Sequence, residues 1–213
     1  MKTIVIASKN KHKINEIGQM LSALAFTTQS LLDFPDYVSP EETGATFLEN
    51  AHIKAQTLAD YLQKNSLQGS IHRTLYILAD DSGLSCKGLK GAPGVLSARF
   101  AGLHAGDNKN NQKLIGAFLN NSELSRAAHY TCAMVILLPD KTKKEIEERC
   151  YGKIVTEPKG SNGFGYDPYF FLEKHQRTMA ELSPEEKNSI SHRGKALRNL
   201  LKELKKTSKT TEK

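Results

Sequence analysis

The sequence predicts an α/β fold built as a single unit. Short apolar or β-branched segments suited to strands alternate with amphipathic helical patterns along the 213 residues. We find no internal repeat, linker or low-complexity insert between them. A chain of this length can bury one sizeable core, and it permits two close-packed lobes without requiring them.

The predicted elements follow one another in a simple order. Strands are expected where short apolar runs are bounded by polar residues, at 3–8, 75–80, 130–139 and 148–158, and the last two are expected to form a hairpin or lie side by side. Helices are expected at 13–24, 44–63 and 108–121, with a surface loop at 65–74. A final helix should begin at Pro184 with Ser183 as its N-cap, and the pattern leaves open whether it runs unbroken to Leu204.

The clearest amphipathic pattern belongs to the helix at 44–63. Its apolar face carries Phe47, Leu48, Ala51, Ala55, Leu58, Ala59 and Leu62. Glu49 lies well away from that face, so taken alone it is best interpreted as a solvated helix carboxylate.

The composition excludes several classes of protein. No apolar run approaches the roughly 18–20 residues that a membrane-spanning helix needs. The N-terminal apolar run is too short for a signal peptide, and the three cysteines form no CxxC pair. We therefore expect a reduced, cytoplasmic protein without a membrane partner.

The net charge of +7 points to a polyanionic partner, although much of the excess lies in the C-terminal tail. We interpret residues 205–213 as a basic, disordered tail. A nucleic-acid-binding module remains an alternative, but the basic residues are not interleaved with aromatic ones, so stable nucleic-acid binding is not expected.

A lysine-rich loop separates the first predicted strand from the first helix. Residues 8–13 read Ser-Lys-Asn-Lys-His-Lys. Lysines are unfavourable at a helix N-terminus unless a bound anion such as phosphate offsets their charge. A solvated basic loop is the alternative, and neither a P-loop nor a dinucleotide-binding motif is present.

Two adjacent carboxylates, Asp80 and Asp81, follow the apolar run at 75–79. Acidic residues at a strand end commonly hold Mg²⁺, which shares its remaining positions between water and substrate phosphates. Because side chains alternate along a strand, only one of the pair should face such a site directly. A turn formed by Asp, Ser and Gly is the alternative.

Two later segments carry further candidates. Residues 160–171 combine glycines with aromatics, which suits stacking of a flat ring on Phe164 or Tyr166, although an Asp-Pro turn beside core aromatics would look similar. Residues 185–197 contain Lys187, His192 and Arg193. No GxSxG motif supports a serine nucleophile, and His192 alone would be interpreted as an ordinary buried histidine.

The order of these motifs resembles the inosine/xanthosine triphosphate pyrophosphatase family, over roughly residues 1–204. The resemblance is carried by Ser-x-Asn-x-x-Lys at 8–13 and by the segments 43–55, 78–84, 91–102, 163–168 and 180–197. It implies Mg²⁺-dependent hydrolysis of ITP, dITP and XTP to the monophosphate and pyrophosphate, with one Mg²⁺ per subunit. It also implies a single elongated domain at 1–204, with two lobes, a long central mixed sheet flanked by helices, an active-site cleft between the lobes, and a homodimer.

The resemblance also assigns residues to roles. Asp81 matches the catalytic carboxylate that binds the metal and activates water, and Glu49 matches the second metal-associated carboxylate. From the alternation of side chains along the strand, we expect Asp80 to support Asp81 without facing the metal. The matched substrate-binding positions are Ser8, Lys9, Asn10, Lys11, His12, Lys13, Ser82, Phe164, Gly165, Tyr166, Asp167, Lys187, His192 and Arg193. His12 stands where many relatives have glycine, and the segment at 63–75 is longer than usual. A broader pyrophosphatase or phosphatase of modified nucleotides is the alternative enzyme class.

Overall fold

The computed structural model describes residues 2–22, 26–65 and 75–210, except for the side chains of 205–210. Its strands are β1 (Lys2–Ile6), β2 (Phe26–Ser30), β3 (Leu75–Cys86), β4 (Ala127–Leu137), β5 (Lys143–Ile154), β6 (Phe170–Leu172) and β7 (Arg177–Thr178). They form one open sheet in the order β2-β1-β3-β4-β5-β6-β7. The sheet is mixed, because β1 pairs in parallel with β2 and β3 whereas β6 is antiparallel to β5 and β7. The predicted α/β class is confirmed.

Helices connect and flank these strands. They are α1 (Lys11–Leu21), α2 (Phe47–Asn65), α3 (Asp107–Leu119), α4 (Pro184–Ile190) and α5 (His192–Thr210). Among the residues with described structure, no helix has the length and apolar character that a bilayer span requires.

The chain divides into two compact units. The first comprises Met1–Asp81, Ala133–Glu147 and Gly194–Lys213, and the second comprises Ser82–Cys132 and Glu148–Arg193. Strands β3, β4 and β5 each contribute residues to both units.

The core of the first unit forms where α2 packs on the sheet. Its cluster includes Val5 and Ala7, which follow the alternation of β1, and Ile77 and Ala79 of β3. Small and apolar α2 side chains meet them, namely Ala51, Ala55 and Leu58. The odd-numbered positions of β3 therefore face α2, as the two-residue period of a strand requires.

The core of the second unit is built around α3 and the later strands. Leu84 and Cys86 of β3 pack in one cluster with Leu114 and Phe118 of α3 and with Phe170 of β6. These side chains are nearly or fully withdrawn from solvent.

Strand β3 is longer than predicted, so the sequence-based expectation of a strand end or turn at Asp80 and Asp81 is wrong. Leu84 and Cys86, which follow the two carboxylates, are buried in the core of the second unit. The strand therefore continues beyond Asp80 and Asp81. The absence of a side chain at Gly83 lets the β3 backbone approach Ser97 closely, since a Cβ atom at Gly83 would lie 2.3 Å from Ser97 Oγ.

The C-terminal helices confirm the predicted start and answer the question that the sequence left open. Ser183 accepts a hydrogen bond from Glu186 N as the N-cap of α4. The helix ends before Ser191, whose ψ of 160° is extended, and α5 then begins with Gly194 inside it. Helical backbone continues to Thr210, into the segment for which disorder was predicted. Leu24 and most of the predicted loop at 65–74 lie outside the described residues.

Candidate active site

The lysine-rich loop is shaped by the two polar side chains that precede α1. Asn10 is the N-cap, and its Oδ1 accepts hydrogen bonds from His12 N at 3.0 Å and Lys13 N at 3.2 Å. Ser8 Oγ accepts from Asn10 N at 3.1 Å. Ser8 and Asn10 thus organise the loop, while Lys11 and His12 are exposed.

Two of the lysines in this loop have partners. Lys9 Nζ donates to the Tyr37 carbonyl at 3.1 Å. Lys13 forms an ion pair with Asp80, whose side chain is fully buried. Lys13, predicted as a phosphate-binding residue, therefore neutralises Asp80 in this structure.

Asp81 is neutralised from a different helix. Its Oδ1 accepts from Lys54 Nζ at 2.7 Å and its Oδ2 from Asn50 Nδ2 at 3.3 Å, both on α2. Asp81 continues the odd-numbered series of β3 that faces α2, whereas Asp80 pairs with Lys13 of α1. The predicted separation of the two carboxylates onto opposite faces is confirmed.

Burial and neighbouring charges have opposite effects on the pKa values of Asp81 and Lys54. Burial raises the pKa of Asp81, and the nearby cations Lys54 and Lys13 lower it without fully offsetting the burial. Burial by itself would lower the pKa of Lys54, but the charges of Asp81, Glu42 and Asp80 outweigh it, so that pKa is raised. Lys54 also contacts Glu42 at 3.1 Å and stays charged among these carboxylates.

Glu49 caps the start of α2. Its Oε2 accepts from Ala45 N at 2.7 Å and Thr46 N at 3.2 Å, while Thr46 Oγ1 accepts from Glu49 N at 3.1 Å. The next residue, Asn50, accepts from Gly44 N at 2.8 Å. Glu49 is exposed. Its role as a metal ligand stays a prediction.

The donor set suits a hard divalent cation. Within residues 2–22, 26–65 and 75–210 no group of three His, Cys, Asp or Glu side chains converges. Mg²⁺ does not require one, because it binds through one or two carboxylates and completes its shell with water and phosphate. Each Asp81 oxygen accepts one hydrogen bond among the contacts described above and has a second lone pair, so the Asp81 carboxylate can also bind such an ion.

A second group of charged residues lies in the second unit around Asp167. Lys187 Nζ donates to Asp167 Oδ2 at 2.7 Å, and the two side chains are only 6% and 4% exposed. The same oxygen accepts from Phe164 N at 3.0 Å. Gly163 has a φ of +78°, and a Cβ atom there would lie 2.1 Å from Asp167 Oδ2. The glycine therefore lets the loop close over the carboxylate.

Of the two aromatics proposed for stacking, Phe164 is half-buried and Tyr166 is buried. Lys187 Nζ lies 4.8 Å from its ring centroid and the Arg193 guanidinium carbon 5.7 Å. Tyr166 instead packs in the hydrophobic core, where its hydroxyl donates to the Ser97 carbonyl at 2.8 Å. The expectation that the Tyr166 ring could stack on a ligand is therefore wrong.

The remaining predicted residues are held by neighbours in the second unit. Arg193 Nη2 donates to Ser82 Oγ at 2.7 Å, and His192 stacks on Tyr130 with the centroids 4.7 Å apart. Gly165 is fixed through its backbone, donating to Asp107 Oδ2 at 2.7 Å and accepting from Asn111 Nδ2 at 3.0 Å.

Sequence reasoning missed several residues of the site. Lys54 and Asn50 lie within a motif that was recognised, yet neither was assigned a role. Their spacing of four residues on one helix places both on the face that meets Asp81, and that spacing was a usable signal. Glu42 and Tyr130 carried no comparable signal, because their partners are distant in sequence.

Comparisons with known proteins agree with this architecture. The sequence profile of the Ham1 family matches residues 4–203. A dITP/XTP pyrophosphatase of Halalkalibacterium halodurans is 43% identical over 94% of this chain and 97% of that protein. One from Clostridium perfringens is 40% identical over 96% of this chain and 98% of its own length.

Solved structures are similar as well. A HAM1 protein from Coxiella burnetii superimposes with a TM-score of 0.82 at 40% identity, covering 97% of this chain and all of that one. A nucleoside-triphosphatase, dITP/XTP pyrophosphatase, from Mycobacterium abscessus gives a TM-score of 0.69 at 39% identity and covers 93% of this chain and 98% of its own.

Proposed function

Because this chain belongs to the Ham1 family, we propose that it hydrolyses non-canonical purine nucleoside triphosphates, namely ITP, dITP and XTP. The products are the nucleoside monophosphate and pyrophosphate. The observation that carries the proposal is the buried contact of 2.7 Å between Lys54 and Asp81. The carboxylate of such a pair can accept a proton from water, and the cation beside it can stabilise negative charge on phosphate.

Residues 8–13 and the residues around Asp81 are the proposed groups that act on the triphosphate. The substrate brings about four negative charges, and the exposed lysines of the loop, Lys9 and Lys11, favour its binding electrostatically. The exposed side chains of Lys11 and His12 at the start of α1 add further groups that can donate to phosphate.

The hydrolytic step needs a proton acceptor beside the attacking water. Asp81 takes the proton as the water oxygen bonds to phosphorus and the bond between the α- and β-phosphates breaks. Burial raises the pKa of Asp81, which makes its carboxylate a better acceptor than an exposed aspartate. Lys54 holds the carboxylate in place, and Asn50 does so from the other oxygen.

Mg²⁺ would be held by Asp81 and Glu49, one ion per subunit. When bound, the ion neutralises phosphate charge and orients the substrate. Asp80, paired with Lys13, supports Asp81 from the opposite face of the strand.

Phe164 and the residues around it are the proposed groups that recognise the base. The Phe164 ring is the proposed stacking partner of the base, and the cationic groups of Lys187 and Arg193 lie over that ring, 4.8 Å and 5.7 Å from its centroid. A 6-oxo purine presents an acceptor where adenine presents an amino donor, so donors around the base favour ITP and XTP over ATP. His192, Ser82 and the backbone from Phe164 to Asp167 complete the proposed set.

The cellular setting follows from the resemblance and the thiols. We place the chain in the cytoplasm as a homodimer, with residues 1–204 forming the two-lobed catalytic domain. Its described cysteines, Cys86, Cys132 and Cys150, are buried and form no disulfide with one another, which agrees with a reducing compartment.

A substrate panel tests the proposal. Purified protein with Mg²⁺ is assayed on ITP, dITP, XTP, GTP and ATP, and released pyrophosphate and single phosphate are scored separately. We expect pyrophosphate from the first three and little turnover of ATP. Release of single phosphate would instead favour a broader nucleotide phosphatase, and inactivity combined with salt-sensitive nucleic-acid binding would favour the binding module.

A further inference from the structure

Tyr130 lies at the centre of the base-recognition groups without belonging to any sequence motif that predicts a site. It is a residue of β4 with 7% of its surface exposed. Its ring packs against Phe170 at 4.6 Å and lies nearly parallel to His192, at 4.7 Å and 9°. Its hydroxyl donates to the carboxylate of Asp167. One buried side chain thus contacts two of the predicted substrate-binding residues.

The hydroxyl completes the set of donors around Asp167. That carboxylate also accepts from Lys187 Nζ at 2.7 Å and from Phe164 N at 3.0 Å. Three donors from separate segments fix the orientation of one carboxylate, and the carboxylate in turn fixes Lys187 and the backbone of Phe164. Burial and the charge of Asp167 raise the pKa of Tyr130, so the phenol remains a donor throughout the physiological range.

The ring of Tyr130 has a separate effect on His192. A parallel stack over 4.7 Å sets the plane of the imidazole at the first residue of α5. Arg193, the next residue, lies beside the Phe164 ring and donates to Ser82. The hydroxyl therefore affects Lys187 through Asp167, and the ring affects Arg193 through the neighbouring His192.

We propose that Tyr130 is a positioning residue for purine recognition, which holds Asp167 through its hydroxyl and His192 through its ring without contacting the substrate. This inference rests on the proposed function. It predicts that Tyr130 affects the binding of the base and leaves the binding of the phosphates and the chemical step largely unchanged.

The test uses Tyr130→Phe, which deletes only the hydroxyl, with Tyr130→Leu as a second variant that also loses the stack. For Tyr130→Phe we expect KM for ITP and the inhibition constant of IMP to rise about tenfold, the scale of one lost hydrogen bond to a charged group. We expect kcat and the inhibition constant of pyrophosphate to stay within about twofold. Tyr130→Leu should raise the IMP constant further and reduce the preference for ITP over ATP.

Tyr169→Phe is the matched control, since it removes a phenol hydroxyl from a residue packed against the same core. It should leave both inhibition constants unchanged. If Tyr130→Phe lowered kcat at constant KM, or weakened IMP and pyrophosphate equally, Tyr130 would have only a structural role and the inference would be wrong. Unchanged IMP binding would overturn it as well.

The wild-type protein in the same assays separates this inference from the proposed function. A wild type that hydrolyses ITP, together with an unaltered Tyr130→Phe variant, refutes the positioning role alone. A wild type inactive on ITP, dITP and XTP refutes the proposed function, and the inference falls with it.

Discussion

Lys54 Nζ lies 2.7 Å from Asp81 Oδ1, and the two side chains are 13% and 8% exposed. The contact joins α2 to the middle of β3 and supplies the cation that a buried carboxylate requires. On the opposite face of the strand Lys13 does the same for Asp80. Two adjacent negative charges are thus tolerated in a strand because each is balanced from a different helix.

Replacing Lys54 by methionine should impair both turnover and folding. The variant keeps most of the side-chain volume but leaves Asp81 buried without its nearest cation, which costs about 3 kcal/mol in the free energy of unfolding. We expect kcat on ITP to fall by about 100-fold or more, because the proton acceptor and the triphosphate lose the same cation. Lys64→Met, an exposed change on the same helix, should behave as wild type in both measurements. Wild-type turnover in Lys54→Met would exclude a role for the contact.

The raised pKa of Asp81 predicts a pH dependence of stability in the metal-free protein. Because burial raises this pKa, the folded state binds the proton more tightly than the unfolded state. Its contribution to stability is complete below the unfolded pKa of about 3.9 and is lost as pH rises through the higher folded pKa. Urea unfolding in EDTA should show wild type losing stability relative to Asp81→Asn as pH rises. A difference that grows in favour of wild type would mean that the lysines outweigh burial.

Phe164→Ala should weaken substrate binding more than it slows chemistry. Loss of a stacking partner for the base should raise KM for ITP about tenfold, with a much smaller change in kcat. Phe171→Ala is a matched control, because that half-buried ring also has a lysine near its face, Lys153 Nζ at 5.3 Å, but has no proposed contact with substrate. Equal effects in the two variants would contradict stacking on Phe164.

Gly163 and Gly165 form a matched pair for testing the loop over Asp167. Both have positive φ, of +78° and +63°, so alanine should cost about 1 kcal/mol of stability at either position. At Gly163 the new Cβ atom would also meet Asp167 Oδ2 at 2.1 Å, whereas nothing lies within 4 Å at Gly165. Gly163→Ala should therefore cost about 2 kcal/mol more. Equal unfolding midpoints for the two variants would contradict the close approach.

The sequence allowed the helices, the long strands and the order of the site motifs to be predicted, because periodicity and capping are local signals. Ser183 and the apolar face of α2 are examples. The extension of β3 beyond Asp81 was missed, since it depends on burial of Leu84 and Cys86 in a core formed by distant segments. β6 and β7 were missed because they are only a few residues long.

The sequence predicted which residues belong to the candidate site more completely than it predicted which of those residues contact each other. Alternation along a strand correctly separated Asp80 from Asp81. That Lys13 binds Asp80, and that Tyr166 packs inward to Ser97, depend on contacts across 67 and 69 residues of sequence. Local patterns contain no information about such contacts.

Turnover of ITP by Asp81→Asn tests the central claim most directly. The variant keeps the shape of the side chain, but its single amide oxygen can accept from only one of Lys54 and Asn50, and it cannot accept a proton at neutral pH. We expect its kcat with saturating Mg²⁺ to be lower than wild type by about 1,000-fold, with circular dichroism and gel filtration unchanged. Asp36→Asn, at an exposed aspartate, is the control and should keep full activity. A folded Asp81→Asn protein that hydrolyses ITP within about twofold of wild type would contradict the assignment of Asp81 as the proton acceptor.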